Sequence, residues 1–333
     1  MTDIIMKDYT LGIDIGGTHT AMAVVDTEGN ILCRATIKTT DFATFPKFVD
    51  GAAKALKKSV KEAGVDFRNV RSIGIGAPCV NVDTGMVEGA VDLPWPSPIP
   101  LKDDFSEKFG LPVGVANDAN AAALGEMFYG ECAHTDDFIM ITLGTGVGSA
   151  IVTDGNLLQG RKGFAGELGH TFSRRHHDRL CSCGRYGCLE TYCSARGVVK
   201  TALDFLDTPR HSSLKQIDPA KLTAKDVCMA AEAGDEVALA TLRLTGEVLG
   251  EACADFAAFS SPETIVLFGG VANAFPYFID SMKEAFERNL LWIYKDSIRI
   301  VKSGLPESDA ALLGAAAVGR SAFLRQRKEN RQI

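Results

Sequence analysis

The sequence predicts an α/β protein built from two similar lobes, and an internal repeat is the first reason. The repeat pairs LGIDIGGTHTAMAVVDTEGNIL at Leu11–Leu32 with FIMITLGTGVGSAIVTDGNLL at Phe138–Leu158. Each copy predicts a strand, a Gly/Thr-rich turn, a second strand and a turn ending in Gly-Asn, where glycine supplies the positive φ of a tight turn. The second reason is that predicted strands alternate with predicted helices, which favours mixed sheets covered by helices.

Apolar and Ala-rich stretches outside the repeats predict the remaining elements. Buried strands that end next to or at a glycine are predicted at Val70–Gly76 and Thr264–Phe268. Helices are predicted for four further segments, namely Phe48–Ala63, Ala119–Phe128, Val237–Phe259 and Pro276–Leu290.

The boundary between the lobes is predicted near Leu111–Asn117, because the second repeat and a cysteine cluster follow it. The first, smaller lobe would then be residues 1–116, and the second, larger lobe residues 117–307. An Ala/Leu-rich helix at Ser308–Leu324, extending to about residue 325, should begin with Ser308 as its N-cap and cross back to complete the first lobe.

Composition and charge argue against several classes of protein. The 333 residues suffice for two domains with separate cores. With 23% charged and 46% hydrophobic residues, and no apolar run of spanning length, neither disorder nor a membrane protein is indicated. The net charge of -7 argues against broad binding to nucleic acid or anionic membranes. No targeting segment is recognisable, so we expect a cytoplasmic protein.

The nine cysteines suggest reduced thiols and one metal site rather than a secreted disulfide framework. Cys181, Cys183 and Cys188 are clustered in a glycine-containing segment, and His170 lies shortly upstream. Three thiolates and one imidazole make a closed tetrahedral zinc site. Because no ligand position remains open, we predict a structural zinc ion; a coincidental cluster of thiols is the alternative.

Three glycine-containing turns can present backbone N–H groups to phosphate oxygens. They are D-I-G-G-T at Asp14–Thr18, G-T-G-V-G at Gly144–Gly148 and F-G-G-V-A at Phe268–Ala272. One such turn is most simply a hairpin, but three of them, two within the repeat, favour phosphate binding. The sequence lacks G-x-x-x-x-G-K-[ST], and G-x-G-x-G leading into a strand is not a dinucleotide fingerprint, so neither a Walker-type NTPase nor a Rossmann cofactor is indicated.

Polar residues near these motifs are candidates for chemistry. Asn117-Asp118 follows the apolar Val113–Ala116 and opens a helix, so both residues can be helix caps. In the alternative hypothesis Asp118 is a general base and Asn117 orients a substrate hydroxyl. Glu167 and Glu190 bracket the cysteine cluster, and a metal there would hold their segments together, in a position suited to accept hydrogen bonds from sugar hydroxyls.

The segment between the two glutamates contains two further histidines. His176 and His177 are surrounded by Arg174, Arg175 and Arg179. A basic run of this kind is typical of a solvated surface, and we interpret it as a loop.

Together these motifs resemble the family of bacterial repressors, open-reading-frame proteins and sugar kinases known as ROK. The motifs are D-x-G-G-T, N-D-A-N, L-G-T-G-V-G, A-G-E-L-G-H and the family's own signature C-x-C-G-x-x-G-C-x-E, at residues 14–18, 117–120, 143–148, 165–170 and 181–190. The resemblance covers nearly the whole chain. It implies a duplicated actin-like ATPase (ribonuclease H-like) fold, whose two lobes flank a central cleft that holds the active site.

The resemblance also implies roles for individual residues. Asp118 would be the base, and the sugar would contact Asn117, Glu167, His170 and Glu190. His170 would therefore bind both the sugar and zinc, whose other ligands are Cys181, Cys183 and Cys188. The glycine turns would hold ATP, with Mg²⁺ at its phosphates near Asp14, and the nucleotide-binding residues would be Asp14, Gly16, Gly17, Thr18, Gly144, Thr145, Gly146, Gly269 and Gly270.

Two features of the sequence bear on substrate and class. In G-A-P-C-V at Gly76–Val80, relatives usually place glycine where Cys79 stands, in a loop that lines their sugar pocket. Repressor members carry an N-terminal helix-turn-helix, and Asp14 comes too early in the sequence for one, so we expect no DNA-binding role.

These expectations converge on an ATP-dependent hexose kinase, and a glucokinase acting on the sugar 6-hydroxyl is favoured. The resemblance also favours a homodimer. The alternatives are a kinase for fructose, mannose, allose or an N-acetylhexosamine, and a sugar sensor without turnover. The presence of Asp118 argues against a sensor, because a sensor needs no base.

Overall fold

The computed structural model describes residues 8–89, 93–161, 163–173, 178–209 and 211–330, which form strands and helices in alternation. The strands are β1 (Tyr9–Ile15), β2 (His19–Asp26), β3 (Ile31–Lys38), β4 (Val70–Gly76), β5 (Val80–Asn81), β6 (Met86–Val87), β7 (Val113–Ala116), β8 (Phe138–Leu143), β9 (Val147–Thr153), β10 (Asn156–Leu157), β11 (Thr264–Phe268) and β12 (Arg299–Lys302). The helices are α1 (Phe45–Glu62), α2 (Leu101–Phe109), α3 (Asp118–Tyr129), α4 (Glu190–Cys193), α5 (Ala195–Leu206), α6 (Ala224–Glu232), α7 (Glu236–Ser260), α8 (Phe275–Asn289) and α9 (Glu307–Glu329). Within these ranges, every helix is too short or too polar to cross a membrane.

The helices and strands predicted outside the repeats are all present, and several of them begin or end a few residues away from the predicted bounds. Helix α9 begins at Glu307 with Pro306 at the N-cap position. Ser308 is therefore not the cap, and its hydroxyl instead lies 3.2 Å from the Asp309 carboxylate. The Gly-Asn turns of the two repeats use positive φ as predicted, with φ of 87° at Gly29 and 67° at Gly155.

The chain divides into two compact units. The first comprises Met1–His134, Gln159–Phe164 and Gly304–Ile333, and the second comprises Thr135–Leu158 and Ala165–Ser303. Helix α9 belongs to the first unit, whereas the boundary expected near residue 116 differs from the observed one. Helix α3 lies in the first unit because it packs closely on α9: a Cβ atom on Gly314 would lie only 2.7 Å from the carbonyl oxygen of Ala121.

Both units contain a five-stranded sheet with the same strand order. The order is β3-β2-β1-β4-β7 in the first unit and β10-β9-β8-β11-β12 in the second. In each, the first strand of the repeat pairs antiparallel with the second and parallel with the next strand of the sheet. The duplication predicted from the internal repeat is therefore confirmed at the level of topology, and with it the expected duplicated actin-like fold.

A row of three glycines lets α9 lie directly on the first sheet. Gly12, Gly74 and Gly114 are register partners on β1, β4 and β7. A Cβ atom on Gly12 would lie 2.5 Å from the carbonyl oxygen of Leu312, and one on Gly74 would overlap the carbonyl oxygen of Ala315. A side chain at any of these positions would push the helix away from the sheet.

The opposite face of the first sheet carries the aromatic core of this unit. Side chains alternate along a strand, so the neighbours of the glycine row, such as Ile13 and Ile75, point away from α9. They join a buried cluster that includes Phe48, Phe105 and Trp95, in which the Phe48 and Trp95 ring centroids lie 4.7 Å apart.

The second unit has a core of its own, built around the packed pair α7 and α8. Glycines again set the distance between backbones, since a Cβ atom on Gly250 would overlap the carbonyl oxygen of Met282. Phe256, Phe278 and Phe286 are buried in this core, together with the apolar side chains of β8 and β11.

Cys79 adopts a backbone conformation that suits glycine. It lies in the turn between β4 and β5 with φ of 52°, and its carbonyl oxygen accepts a hydrogen bond from the N–H of Glu88 at 3.0 Å. The left-handed region costs a residue with a side chain about 1–2 kcal/mol. A glycine at this position would avoid that cost.

We therefore expect Cys79→Gly to keep or raise the free energy of unfolding, by up to about 1 kcal/mol, because the glycine's greater unfolded-state entropy offsets part of the relieved strain. Cys79→Val should lower the free energy of unfolding by on the order of 1 kcal/mol beyond the cost that cysteine already incurs, since a β-branched residue tolerates this conformation poorly. Urea denaturation measures both. Cys33→Val on β3 is the control, because an extended strand favours valine; a Cys79→Val protein as stable as the unmodified one would contradict this account.

Candidate functional site

Two carboxylates of the first unit lie at one edge of its sheet. Asp14, near the end of β1, is the register partner of Gly76 on β4, and Gly76 is the partner of Ala116 on β7. Asp118 follows β7 as the first residue of α3. Since β1, β4 and β7 are parallel, their carboxyl ends meet at the same edge, where ligands of α/β proteins commonly bind.

Both carboxyl groups have raised pKa values. Desolvation, reinforced by the negative charge of Asp118, raises the pKa of Asp14 to about 6. Desolvation also raises the pKa of Asp118, although part of its side chain reaches solvent. Raised pKa values of this kind are typical of carboxyl groups that exchange protons or meet a cation.

The sequence left open whether Asn117 and Asp118 cap a helix or act on a substrate, and the structure distinguishes the two residues. The Asn117 side-chain oxygen accepts the N–H of Asn120 at 2.9 Å and caps α3. Within the described residues, the Asp118 carboxylate takes part in no hydrogen bond. Helix capping therefore belongs to Asn117, which keeps its amide NH₂ for a ligand, and the Asp118 carboxylate is available for chemistry.

The first glycine turn is locked by a threonine that the sequence analysis missed. The N–H of Gly16 donates to the carbonyl oxygen of His19 at 3.0 Å and closes the β1–β2 hairpin. The buried hydroxyl of Thr39 donates to the Gly16 carbonyl oxygen at 2.8 Å and lies 2.9 Å from the Thr20 hydroxyl. Thr18 remains exposed at the tip of the turn. A lone threonine after a strand has no distinguishing pattern in sequence.

The second and third glycine turns come together in the second unit. In the second, between β8 and β9, the N–H of Gly144 donates to the carbonyl oxygen of Gly146 at 3.0 Å. In the third, Gly269 has φ of 101°, and a Cβ atom there would lie 2.8 Å from the carbonyl oxygen of Leu143. The backbone N–H groups of both turns, including those of Thr145 and Gly270, are thus presented from neighbouring segments.

The predicted metal ligands meet in one place. One ligand atom from each of His170, Cys181, Cys183 and Cys188 lies within 4.8 Å of all the others. The Cys181 Sγ is 3.6 Å from His170 Nδ1, and the Cys183 Sγ is 3.7 Å from the Cys188 Sγ. Zinc bond lengths in a tetrahedral site require about 3.6 Å between sulfur and nitrogen and about 3.8 Å between sulfurs. These four side chains therefore fit a tetrahedral zinc ion.

Local hydrogen bonds shape the cysteine loop. Gly184 and Gly187 take positive φ, 85° and 74°, and the N–H of Cys181 donates to the Arg185 carbonyl oxygen at 2.8 Å. A hydrogen bond from the Arg185 backbone N–H is the main reason that the pKa of Cys183 falls to about 6, while burial raises the pKa of Cys188 to about 12. The Arg185 guanidinium donates to the His170 carbonyl oxygen and joins the histidine to the loop.

Arg179 is a structural anchor rather than part of a solvated loop. Its side chain is only 12% exposed and forms an ion pair with Asp204 at 2.9 Å. Its guanidinium donates to the Thr201 hydroxyl at 2.9 Å and lies 4.4 Å from the centroid of the Tyr192 ring. The other members of that basic run, Arg174, Arg175, His176 and His177, lie outside the described residues.

Ser149 of β9 positions the segment that carries Glu167 and His170. Its hydroxyl donates to the carbonyl oxygen of Gly166 and accepts the N–H of Leu168 at 3.0 Å. Gly169 packs so closely on β9 that a Cβ atom would overlap the Val147 carbonyl oxygen. Glu167 is left exposed and His170 half-buried. Sequence reasoning missed Ser149, although it sits next to the glycine turn.

Glu190 lies between the cysteine loop and the second glycine turn. Its Oε2 accepts the N–H of Val147 at 3.1 Å, and its Oε1 accepts the Ser182 hydroxyl at 3.1 Å. The structure thus brings Glu167, His170 and Glu190 onto segments that all contact the start of β9.

The structure combines a duplicated actin-like fold with a cluster of three cysteines and one histidine, which Glu190 links to the second glycine turn. These are the features expected of a ROK protein. The chain belongs to the ROK family, whose family model matches residues 10–321. The family predicted from the sequence is therefore confirmed.

Individual relatives include kinases named for two different sugars. The chain is 38% identical over 312 residues to a glucokinase of Halalkalibacterium halodurans, which covers 92% of this chain and 93% of that protein. It is 32% identical to an N-acetylmannosamine kinase of Salmonella typhi over 270 residues, or 80% of this chain and 85% of the other. A ROK family glucokinase from Streptomyces griseus, solved in complex with glucose and AMPPNP, superposes with a TM-score of 0.72 at 35% identity, over 94% of this chain and 99% of that one.

The ligand geometry predicts the metal content. Protein purified without chelators should contain close to one zinc per chain, and Cys183→Ser should lose most of it. Zinc binding contributes on the order of 10–16 kcal/mol of folding free energy in small zinc-finger peptides, whereas in this protein the apolar core also stabilises the fold. We therefore expect zinc loss to loosen the segments 166–173 and 178–190, seen as faster amide hydrogen exchange, before it unfolds the protein.

Elemental analysis and exchange mass spectrometry measure these effects. Cys33→Ser, on β3 in the other unit, is the matched control and should keep its zinc. Fully active protein without zinc would contradict the assignment.

The raised pKa of Asp14 predicts a stability effect that depends on pH. Its folded value of about 6 exceeds the ordinary 3.8, so the stability it contributes is present below 3.8 and is lost as pH rises through about 6. Asp14→Asn should therefore raise the free energy of unfolding at pH 7.5 by on the order of 1–2 kcal/mol, and by much less at pH 4.

Thermal melting at the two pH values, without nucleotide, tests this effect of Asp14. Asp66→Asn is the control with the opposite electrostatics, because Arg68 lowers the pKa of Asp66 and no gain is expected. The same gain at both pH values would refute the electrostatic cause.

Proposed function

We propose that this protein is a glucokinase, transferring the γ-phosphoryl group of ATP to the 6-hydroxyl of glucose. The broader statement, that it is an ATP-dependent sugar kinase, rests on its family and on glucokinase relatives that match it over nearly their whole length. The single observation that carries the chemistry is Asp118: a carboxylate with a raised pKa at the edge of the sheet, relieved of capping by Asn117.

In the proposed reaction, Asp118 accepts the proton of the sugar hydroxyl as its oxygen forms a bond to the γ-phosphorus. The bond between that phosphorus and the bridging oxygen breaks, and ADP leaves. A carboxylate with a raised pKa is a better base than an ordinary aspartate. Most of the acceleration comes from positioning and from neutralising phosphate charge, which Mg²⁺ near Asp14 would supply.

Four residues are proposed to hold the sugar: Asn117, Glu167, His170 and Glu190. Glu167 is exposed and offers both carboxylate oxygens. His170 directs Nδ1 toward the Cys181 sulfur, which leaves Nε2 for a sugar hydroxyl. A zinc ion at His170 would therefore fix the ring that meets the substrate, and its role is structural.

ATP is proposed to bind through the backbone N–H groups of the glycine turns. The residues proposed for this role are Gly16, Gly17, Thr18, Gly144, Thr145, Gly146, Gly269 and Gly270. The N–H groups of Gly16 and Gly144 already donate within their own turns, so these two residues would shape the turns while the others donate to phosphate oxygens. Backbone donors compensate for a net charge of -7, which would otherwise repel a nucleotide.

The proposal includes a setting for the enzyme. Glucose 6-phosphate, the proposed product, enters carbohydrate breakdown, including glycolysis, and ATP is the proposed phosphoryl donor. We therefore propose that the protein is cytoplasmic. Nine free cysteines suit that reducing compartment. The resemblance supports a homodimer formed through the second unit.

A second candidate substrate is an N-acetylhexosamine, favoured by the similarity to an N-acetylmannosamine kinase. The test is ADP production with glucose, fructose, mannose, allose and N-acetylmannosamine. Glucose should give the highest kcat/KM. Binding without ADP production for every sugar would instead favour a sensor.

The assignment of Asp118 predicts a specific loss of activity. Asp118→Asn keeps the shape of the side chain and removes its basicity. General-base contributions are typically about 10²–10⁴-fold, so kcat should fall on the order of 10³-fold while the melting temperature and sugar affinity change far less. Steady-state kinetics, calorimetry and sugar titration measure the three quantities.

Asn117→Ala is the matched comparison, because Asn117 holds the helix cap. It should lower the free energy of unfolding by about 1 kcal/mol. An Asp118→Asn protein that retains more than about a tenth of the original kcat would rule out Asp118 as the base.

A further inference from the structure

One carboxylate in the second unit contacts both the cysteine loop and a glycine turn. Glu190 is the first residue of α4 and is half-buried. Its Oε2 lies 3.1 Å from the backbone nitrogen of Val147, at the end of the turn. Its Oε1 lies 3.1 Å from the Ser182 hydroxyl and 3.5 Å from the Cys181 sulfur. The two oxygens therefore face different segments.

The glycine turn is shaped around this carboxylate. A Cβ atom on Gly146 would collide with Glu190 Oε2 and lie 3.3 Å from its Cδ, and apart from the two chain neighbours no other described residue comes within 4 Å of that position. On its other side, the Gly144 carbonyl oxygen accepts the N–H of Ala195 at 2.8 Å, just after α4. Contacts with the Glu190–Ala195 segment thus fix both ends of the turn.

We propose that Glu190 is a positioning residue for the nucleotide as well as a sugar-binding group. Its carboxylate holds the turn Gly144–Val147 so that the N–H groups converge on the phosphates, and it transmits the order of the cysteine loop to that turn. The inference rests on the proposed function, in which this turn binds ATP. A turn ordered before binding loses less entropy when the nucleotide arrives, which increases affinity.

Three variants separate positioning from sugar binding, with AMPPNP–Mg²⁺ affinity measured by calorimetry in the absence of sugar. Glu190→Ala should weaken nucleotide binding about tenfold, the lower end of what a hydrogen bond to a charged group contributes. Glu190→Gln should stay within about threefold of the unmodified protein, because the amide oxygen still accepts the Val147 N–H and the NH₂ group can donate to Ser182. Glu167→Ala, the matched control, should leave nucleotide affinity unchanged. All three should weaken sugar binding, since each removes a charged acceptor.

A double-mutant cycle tests the contact itself. Gly146→Ala should weaken AMPPNP binding about tenfold in the unmodified protein and cause little further loss in Glu190→Ala, where the methyl group occupies the vacated space. If Glu190→Ala does not fold, Glu190→Asp replaces it, since its shorter side chain withdraws from the turn and keeps the charge. Zinc content and melting temperature are measured for each variant to verify the fold.

The outcomes separate this inference from the proposed function. Additive losses in the cycle, or Glu190→Ala and Glu190→Asp proteins that bind AMPPNP as tightly as the unmodified one, would overturn the positioning role and leave the kinase intact. Unmodified protein that binds no AMPPNP would overturn the proposed function and this inference together.

Discussion

The requirement that four side chains meet in one tetrahedron governs the candidate site of the second unit. His170 and the three cysteines come from two segments that would otherwise be independent loops, and their ligand atoms lie within 4.8 Å of one another. Closing that tetrahedron brings the residues beside the ligands to β9. Gly169 packs on the Val147 carbonyl group and Glu190 accepts the Val147 N–H. A metal ion held by these four side chains would thus determine where nearby polar groups lie without itself contacting a substrate.

A different constraint acts in the first unit, where parallel strands and a closely packed helix hold two acids together. The glycine row lets α9 lie on β1, β4 and β7, and these strands end beside Asp14 and Asp118. Desolvation raises both pKa values, and the charge of Asp118 adds to the rise at Asp14, which costs stability at neutral pH. Such a cost is expected where residues are retained for function rather than for folding.

The sequence predicted those features that have a local signature. The repeat predicted the shared strand order, and the spacing of Cys181, Cys183 and Cys188 predicted the metal cluster. Features that depend on tertiary packing could not be predicted from the sequence. Helix α3 was placed in the wrong lobe because its contact with α9 joins residues far apart in the chain. Thr39 and Ser149 were not predicted because a single hydroxyl residue has no diagnostic spacing in the sequence. Arg179 was interpreted as solvent-exposed because its partners, such as Asp204, become known only from the structure.

The division of labour between Asn117 and Asp118 bears on how catalysts and sensors can share this fold. Asn117 caps α3 whatever the protein does, so a chain that only binds sugar still needs a capping residue there. Asp118 forms no hydrogen bond within the described residues, and its raised pKa makes the charged form costly. In a pure sensor nothing would offset that cost, and a neutral side chain would be more stable at this position. An aspartate that is unused by the fold, and whose charged form is disfavoured, is consistent with the role of base that we propose for Asp118.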